Sequence, residues 1–182
     1  MSASTIRKLV LIGVFTALAY VVTFLIRIPV FGFLTLDPKD AVIGIAGFLL
    51  GPVAVVVIAV IVSALEMMIS ATGPIGFVMN VASTLAFVGL ATVIYRQAPS
   101  FKRALIGLLV GAVSVTVVML ILNYLLTPIY MGVPRADVAA MLIPVLLPFN
   151  LIKSFVSGVL VLLLYQPVMR AYESIGSRQQ KR

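Results

Sequence analysis

Long apolar runs, separated by short breaks rich in proline and glycine, constrain this chain more than any other feature. The first run, residues 9–28, has about the twenty residues that a helix needs to cross a ~30 Å hydrocarbon core. Of the 182 residues, 63% are hydrophobic and 10% are charged, whereas soluble domains average roughly 45–50% and ~25%. The sequence therefore predicts an integral membrane protein, and it is helical because the runs lack the alternation of a transmembrane barrel.

The breaks divide the chain into six predicted transmembrane helices within a single domain, residues 1–182. The helices cover about residues 6–28, 41–50, 53–70, 77–95, 104–126 and 138–165. Proline and glycine predict a turn at 73–76, a loop at 127–135, and interruptions of the sixth helix at Pro144 and Pro148.

The second predicted helix is only about ten residues long. It rises about 15 Å, half of a bilayer, so protein must cover it or the segment before it must extend it. That segment, residues 29–40, combines two prolines and a glycine with several large apolar side chains. We expect it to fold back over a cavity as a re-entrant-like outer loop.

Basic residues cluster at residues 7–8, 96–103 and 170–182. Lysine and arginine favour the cytoplasmic ends of membrane helices. Six crossings put all three clusters on one side, so we predict cytoplasmic N- and C-termini in a bacterial plasma membrane, with a basic tail at about 170–182. The net charge of +8 is thus explained by membrane orientation and does not predict nucleic-acid binding.

Several chemistries are excluded by composition. The chain has no cysteine and no histidine, which removes disulfides, thiol catalysis and the commonest metal ligands. No G-x-x-x-x-G-K-[ST] phosphate loop occurs, so the chain is not expected to hydrolyse ATP itself. We expect no metal, no cofactor and no catalytic residue.

The strongly polar residues at membrane depth gather in the outer half of the predicted bundle. They are Glu66, Asn80, Asn123, Asn150 and Lys153. The outer loop before the second predicted helix adds Asp37, Lys39 and Asp40. A lysine at the centre of a membrane helix costs ~2.5–3.5 kcal/mol on insertion scales, so it needs compensation. Each residue has a structural alternative: lysine can snorkel, membrane asparagine or glutamate can join helices, and aspartate can cap a helix. Their meeting in one layer favours a site for a neutral, flat, hydrogen-bonding ligand.

Other membrane functions fit this distribution less well. A channel tends to carry polar residues along its whole length, and an alternating-access carrier often has internal repeats, of which no convincing one occurs. A membrane-embedded enzyme would use Glu66 with Asp40 as acid and base, but one glutamate without a histidine, cysteine or metal group is a weak catalytic set. A capture site that opens outward is favoured.

Several motifs together resemble one family. They are Leu36-Asp37-Pro38-Lys39-Asp40, Gly47-Phe48-Leu49-Leu50-Gly51-Pro52, Gly73-Pro74-Ile75-Gly76 with Asn80, Leu122-Asn123-Tyr124 with Pro128-Ile129-Tyr130-Met131, and Pro148-Phe149-Asn150-Leu151-Ile152-Lys153. Over about residues 6–172 the chain resembles the substrate-binding S components of energy-coupling factor (ECF) vitamin transporters, specifically the riboflavin-binding kind. S components for other vitamins share the Gly-Phe-x-x-Gly-Pro element, so another vitamin or small planar metabolite is the alternative ligand.

The resemblance implies a six-helix protein that binds riboflavin from outside and docks on a transmembrane coupling subunit joined to two cytosolic ATPases. Asn123, Asn150 and Lys153 match family positions that hold the flavin ring. Further candidate binding residues are Asp40, Glu66, Asn80, Leu36 and Phe33, the last two in a loop expected to cover the ring. Glu66 or Asp40 is expected to hold Lys153. Docking is expected at Gly13 and Ala17, where the family often has two alanines.

Overall fold

The computed structural model describes residues 3–32, 34–70 and 72–180. Within them the chain forms α-helices, two short β-strands and two π-helical segments, which confirms the predicted helical class. The helices are α1 (Ala3–Leu25), α2 (Lys39–Leu50), α3 (Pro52–Met67), α4 (Gly73–Thr84), α5 (Leu90–Gln97), α6 (Phe101–Met131), α7 (Arg135–Met141) and α8 (Leu147–Gln180). The strands are β1 (Ile28–Phe31) and β2 (Leu34–Leu36), and the π segments are Leu85–Gly89 and Leu142–Leu146.

Four helical stretches in the described part of the chain are long and apolar enough to cross a bilayer. They are Thr5–Leu25, Gly73–Gln97, Phe101–Met131 and Arg135–Tyr172, the second and the fourth running through a π segment. Helix α3 has 16 residues and α2 has 12. At 1.5 Å per residue, α2 is about 18 Å long, so the expectation of a short second helix is confirmed.

Helix α2 lies inside the bundle and organises it. It packs against α1, α3, α5 and α8, and most of its side chains are buried, including Ile43, Ala46 and Phe48. A helix that is apolar on every side belongs in an interior. Because its neighbours cover it, α2 does not need to span the membrane alone.

The chain reverses sharply between α2 and α3. Gly51 has a φ of 98°, a conformation that residues with a Cβ rarely adopt, and Pro52 then starts α3 at the position where a missing N–H is harmless. A Cβ added at Gly47 would lie 2.6 Å from a methyl carbon of Val55, so glycine there permits the close approach of the two helices.

The segment between α1 and α2 is more regular than a loop. Strands β1 and β2 form an antiparallel hairpin, in which Ile28 pairs with Leu36 and Phe31 with Leu34, and the register shifts between Pro29 and Phe31. Leu34 is buried against Val138 and Leu146. The hairpin therefore covers the bundle at the end where α7 and the start of α8 lie.

Two breaks predicted from proline and glycine are corrected by the structure. Residues 73–76 begin α4 and are not a turn, since Pro74 occupies the first turn of the helix, where proline is tolerated. Helix α6 continues through Pro128 to Met131 and α7 begins at Arg135. Most of the predicted loop at 127–135 is therefore helical, and only residues 132–134 connect the two helices.

The sixth predicted helix is reshaped rather than interrupted at its prolines. Pro144 and Pro148 each remove a backbone donor. Pro144 lies inside the π segment Leu142–Leu146, where the N–H of Leu147 donates to the carbonyl of Leu142, and Pro148 lies in the first turn of α8. The backbone then continues directly as α8. π segments of this kind frequently occur at functional sites, and this one immediately precedes Asn150 and Lys153.

Candidate functional site

A polar cavity of about 130 Å³ lies beneath the hairpin, among the ends of α1, α2, α3, α4, α6 and α8. Its lining residues are Thr23, Arg27, Leu34, Thr35, Asp37, Lys39, Glu66, Ser70, Thr72, Gly76, Met79, Asn80, Ser83, Met119, Asn123, Tyr130, Phe149, Asn150 and Lys153. Helices distant in sequence supply this set, so the cavity exists only in the assembled bundle.

Lys153 of α8 is held by Asp37, which lies between β2 and α2. Its Nζ donates to Asp37 Oδ2 at 2.9 Å, and the lysine and aspartate side chains are 15% and 5% exposed. The other oxygen, Asp37 Oδ1, accepts from the backbone N–H of Lys39 at 3.3 Å. Burial raises the pKa of Asp37, but the ammonium groups of Lys153 and Lys39 outweigh it, so the pKa falls from 3.8 to about 2. The carboxylate is therefore charged at every physiological pH.

A second buried ion pair lies across the same cavity. Lys39 Nζ donates to Glu66 Oε2 at 2.7 Å and to Asn80 Oδ1 at 3.3 Å. Asn80 Nδ2 also donates to Glu66 Oε2, at 3.2 Å. This triangle joins α2, α3 and α4. The two ion pairs together contribute two positive and two negative charges, and Arg27 adds one further positive charge to the lining.

Two buried amides complete the polar lining on α6 and α8. Asn123 Nδ2 donates to the carbonyl of Met119 at 2.7 Å, and its Oδ1 accepts from Thr127 at 2.9 Å. Asn150 Nδ2 donates to the carbonyl of Leu146 at 2.7 Å, next to the π segment. Both amides line the cavity. These bonds fix their orientation and leave acceptor and donor capacity for a ligand, because each amide has four hydrogen-bonding sites.

The cavity lining also includes apolar and aromatic side chains. They are Tyr130, Phe149, Met119 and Met79, together with Leu34 of the hairpin. Rings offer flat apolar faces that suit a planar ligand, and methionine adapts its shape to the surface it meets. The cavity thus combines hydrogen-bonding groups with apolar surface.

The structure brings together Asn123, Asn150, Lys153, Glu66 and Asn80, all of which line this cavity. It does not place Asp40 or Leu36 there. Asp40 is buried beneath the cavity, where it accepts from Thr84 Oγ1 at 2.8 Å, and Leu36 is half-buried in β2. Phe33 lies outside the described residues.

The prediction that Glu66 or Asp40 holds Lys153 was wrong. Asp37 pairs with it, while Glu66 pairs with Lys39 and Asp40 bonds to Thr84. Lysine 153 also does not snorkel toward the membrane surface, because its ammonium lies in the cavity beside Asp37. Asp37 and Lys39 also line the cavity, although the sequence predicts them only as polar residues of the outer layer and not as binding residues. The signal that could have found them is charge balance, since two buried lysines need two carboxylates within reach.

The small residues expected to dock a partner lie on the outside of α1. Gly13 and Ala17 are exposed, and a Cβ built on Gly13 would meet no atom within 4 Å. Their neighbours Val10 and Val14 are more than half exposed. This face of α1 is therefore not used for packing within the described bundle.

Residues 7–165 match the family model of the ECF transporter, substrate-specific component. The chain belongs to this family. Such an S component is a membrane-embedded part of a transporter and is not an enzyme, and its apolar helices make it a multi-pass protein of the plasma membrane.

Relatives and a solved structure agree with this assignment. The chain is similar to the riboflavin transporter RibU of Staphylococcus aureus (strain TCH60), with 33% identity over 169 residues that cover 88% of this chain and 89% of the relative. It is also similar to the riboflavin transporter FmnP of Bacillus subtilis (strain 168), with 30% identity over 173 residues, covering 88% and 90%. A solved S component of a bacterial ECF transporter superposes with a TM-score of 0.80 at 29% identity, covering 92% of this chain and 98% of that one.

Proposed function

We propose that this S component captures riboflavin at the outer side of the membrane. It delivers riboflavin for uptake together with an ECF module made of a transmembrane coupling subunit and two cytosolic ATPases. The observation that carries the proposal is the similarity of nearly the whole chain to riboflavin transporters. The cavity supports it, because its lining combines hydrogen-bonding groups with apolar and aromatic side chains. The chain itself needs neither a cofactor nor a metal for this task, and ATP is hydrolysed only by its partners.

The cavity suits the chemistry of a flavin. The isoalloxazine ring has a polar pyrimidine edge, which Asn150 and Lys153 read from one face of α8, with Asn123 opposite on α6. Tyr130 and Phe149 contact the apolar dimethylbenzene side. The remaining polar lining on α3 and α4 bonds the hydroxyl groups of the ribityl chain. Riboflavin is uncharged, which matches a wall whose two ammonium groups are already neutralised by carboxylates.

Binding requires the hairpin to move. The cavity volume of about 130 Å³ is below the ~300–1,000 Å³ of typical small-molecule sites. Leu34 and Thr35 of β2 line the cavity, so displacing this strand enlarges it, and closure of the strand over the ring excludes water. The bound state is then a flavin enclosed between β2 and the ends of the helices.

We place six helical passes in the membrane, with both termini in the cytoplasm. The passes are α1, α2, α3, α4 with α5, α6, and α7 with α8. This arrangement puts the basic residues at 7–8, 96–103 and 170–182 on the inner side, as lysine and arginine prefer. It also turns the hairpin and the cavity outward, where the vitamin is encountered.

Docking on the coupling subunit is proposed at the exposed face of α1 around Gly13 and Ala17. Small residues four positions apart let another membrane helix approach closely. The open space above Gly13 supports this role, because a glycine that serves no packing inside the bundle is available to a partner.

The proposal is tested with purified protein. Cells grown in riboflavin-containing medium should yield yellow protein with flavin absorption bands, and protein stripped of ligand should quench riboflavin fluorescence on titration. A thermal-shift panel with thiamine, pantothenate and biotin provides the comparison. Colourless protein without quenching would overturn the riboflavin assignment, and a shift with another vitamin instead would identify the alternative ligand within the same family.

A further inference from the structure

A second cavity opens on the outside of the bundle, between α6 and α8. It has a volume of about 520 Å³ and is lined almost entirely by aliphatic and aromatic side chains. Ala112 and Gly158 form part of its lining, between larger side chains such as Leu109 and Phe155. A Cβ built on Gly158 would make only an ordinary contact with Phe87, at 4.0 Å, so a side chain can start at this position without overlap. We call this feature the α6/α8 groove.

The length of the α6/α8 groove matches the depth of one membrane leaflet. Its lining runs from residue 105 to 113 on α6 and from 151 to 162 on α8, which corresponds to about 12 Å and 17 Å of helix. One leaflet contributes about 15 Å of hydrocarbon. An extended acyl chain that lies along the two helices would therefore fill the groove from end to end.

Two positively charged residues lie near one end of this groove. Lys102 and Arg103 come just before Leu105, in the first turn of α6, and Lys102 is exposed. The lining itself contains no charged side chain. Two cations at the end of an apolar channel complement a lipid that has a negative headgroup and a hydrocarbon tail, because juxtamembrane lysine and arginine attract anionic lipids.

We propose that the α6/α8 groove is a binding site for one anionic phospholipid. One acyl chain lies over Ala112 and Gly158, and the headgroup phosphate lies at Lys102 and Arg103. In the topology proposed above, the lipid comes from the cytoplasmic leaflet. The site is independent of the flavin cavity, because Asn150 and Lys153 line that cavity while Leu151, Ile152 and Phe155 of α8 line the groove.

The test is native mass spectrometry of detergent-purified protein after delipidation. The protein is incubated with phosphatidylglycerol or phosphatidylcholine of identical acyl chains. Wild-type protein should retain a single phosphatidylglycerol preferentially, with each of the two cations worth about fivefold in affinity. Gly158→Leu and Ala112→Leu fill the groove and should lower the retention of both lipids. Replacing Lys102 and Arg103 by alanine should remove only the preference for phosphatidylglycerol.

Ala140→Leu is the matched control, since it adds the same side chain on the exposed surface of α7, away from the groove, and should change neither lipid. Size exclusion and thermal unfolding identify the variants that fold. Because Gly158→Leu and Ala112→Leu each fill the groove, the test can still be made if one of them fails to fold. Equal retention of the two lipids by wild-type protein would overturn the proposal. Unchanged lipid retention in both leucine variants would also overturn it. A wild-type dimer that dissociates in the leucine variants would overturn it as well, because the groove would then be a protein interface.

Discussion

Removing one charge of the Asp37–Lys153 pair should damage the protein more than removing both. The single variants are Asp37→Asn and Lys153→Met, and the double variant combines them. Each single substitution leaves the opposite charge buried, since Lys153 is 15% exposed and Asp37 is 5% exposed at the side chain. The double variant leaves no such charge behind.

The expected magnitudes follow from the burial of this pair. An uncompensated buried charge typically costs about 3–5 kcal/mol, whereas replacing a whole buried pair is often nearly neutral. The two single variants should therefore each lose about 3–5 kcal/mol of unfolding free energy. The double variant should lose much less than the sum, giving a coupling free energy of at least ~3 kcal/mol.

Unfolding of flavin-free protein in mixed detergent micelles measures these free energies. Lys102→Met, which removes an exposed ammonium, is the control and should stay within about 0.5 kcal/mol of wild type. Additive effects of the two single substitutions would refute the reasoning, because they would show that the ammonium and the carboxylate do not stabilise each other. The double variant should bind riboflavin only weakly, because it lacks the Lys153 ammonium that we propose contacts the ligand.

Further predictions concern binding, pH and uptake. Asn150→Ala and Asn123→Ala should each weaken riboflavin binding by about 1–3 kcal/mol, or about 5- to 150-fold in Kd, through the loss of a buried hydrogen bond; fluorescence titration measures this, and unchanged affinity in both would remove them from the site. The contribution of Asp37 to the unfolding free energy is complete above its unfolded pKa of 3.8 and is lost as the pH falls through about 2. Asp37 should therefore cause no change in the unfolding free energy between pH 5 and 8. A decline across that range in wild type that is absent in Asp37→Asn would contradict this. Gly13→Leu should leave riboflavin binding intact but impair uptake in cells, whereas Gly158→Leu should leave docking intact; wild-type uptake in the Gly13 variant would refute the docking role.

Much of the helical architecture could be predicted because membrane helices carry a strong local signal. The apolar runs located α1, α3 and α6 to within about five residues at each end, and Gly51-Pro52 marked the end of α2. The sixth predicted helix, 138–165, was less accurate, because it covers most of α7, a π segment and only the first part of α8. Proline was the less reliable signal. Pro74 and Pro128 were interpreted as breaks, but a first-turn proline needs no N–H, and neighbouring helices stabilise a membrane helix through an internal proline.

The site was harder to predict than the fold because ion pairing depends on three-dimensional proximity. The spacing of Asn150 and Lys153 on one helical face is a local property and could be read from the sequence. The partner of Lys153 is Asp37, which lies 116 residues away along the chain. The sequence pointed instead to Glu66 or Asp40, because separation along the chain does not show which carboxylate the assembled helices bring close. Similarly, the hairpin was not predicted because the apolar residues of its strands do not alternate with polar ones, although Gly32, which has a φ of 51°, was an available turn signal.

The two ion pairs also determine which part of the outer segment can move. Asp37 is tied to α8 through Lys153, and Lys39 is tied to α3 through Glu66, so the junction between β2 and α2 is held to two helices. Separating either pair inside the protein would leave a buried charge uncompensated, at a cost of about 3–5 kcal/mol. The hairpin has only two short strands with an irregular register, and isolated hairpins are marginally stable. Opening of the cavity should therefore occur by displacement of residues 28–36, with the bend at the N-terminal side of Asp37 and both ion pairs intact.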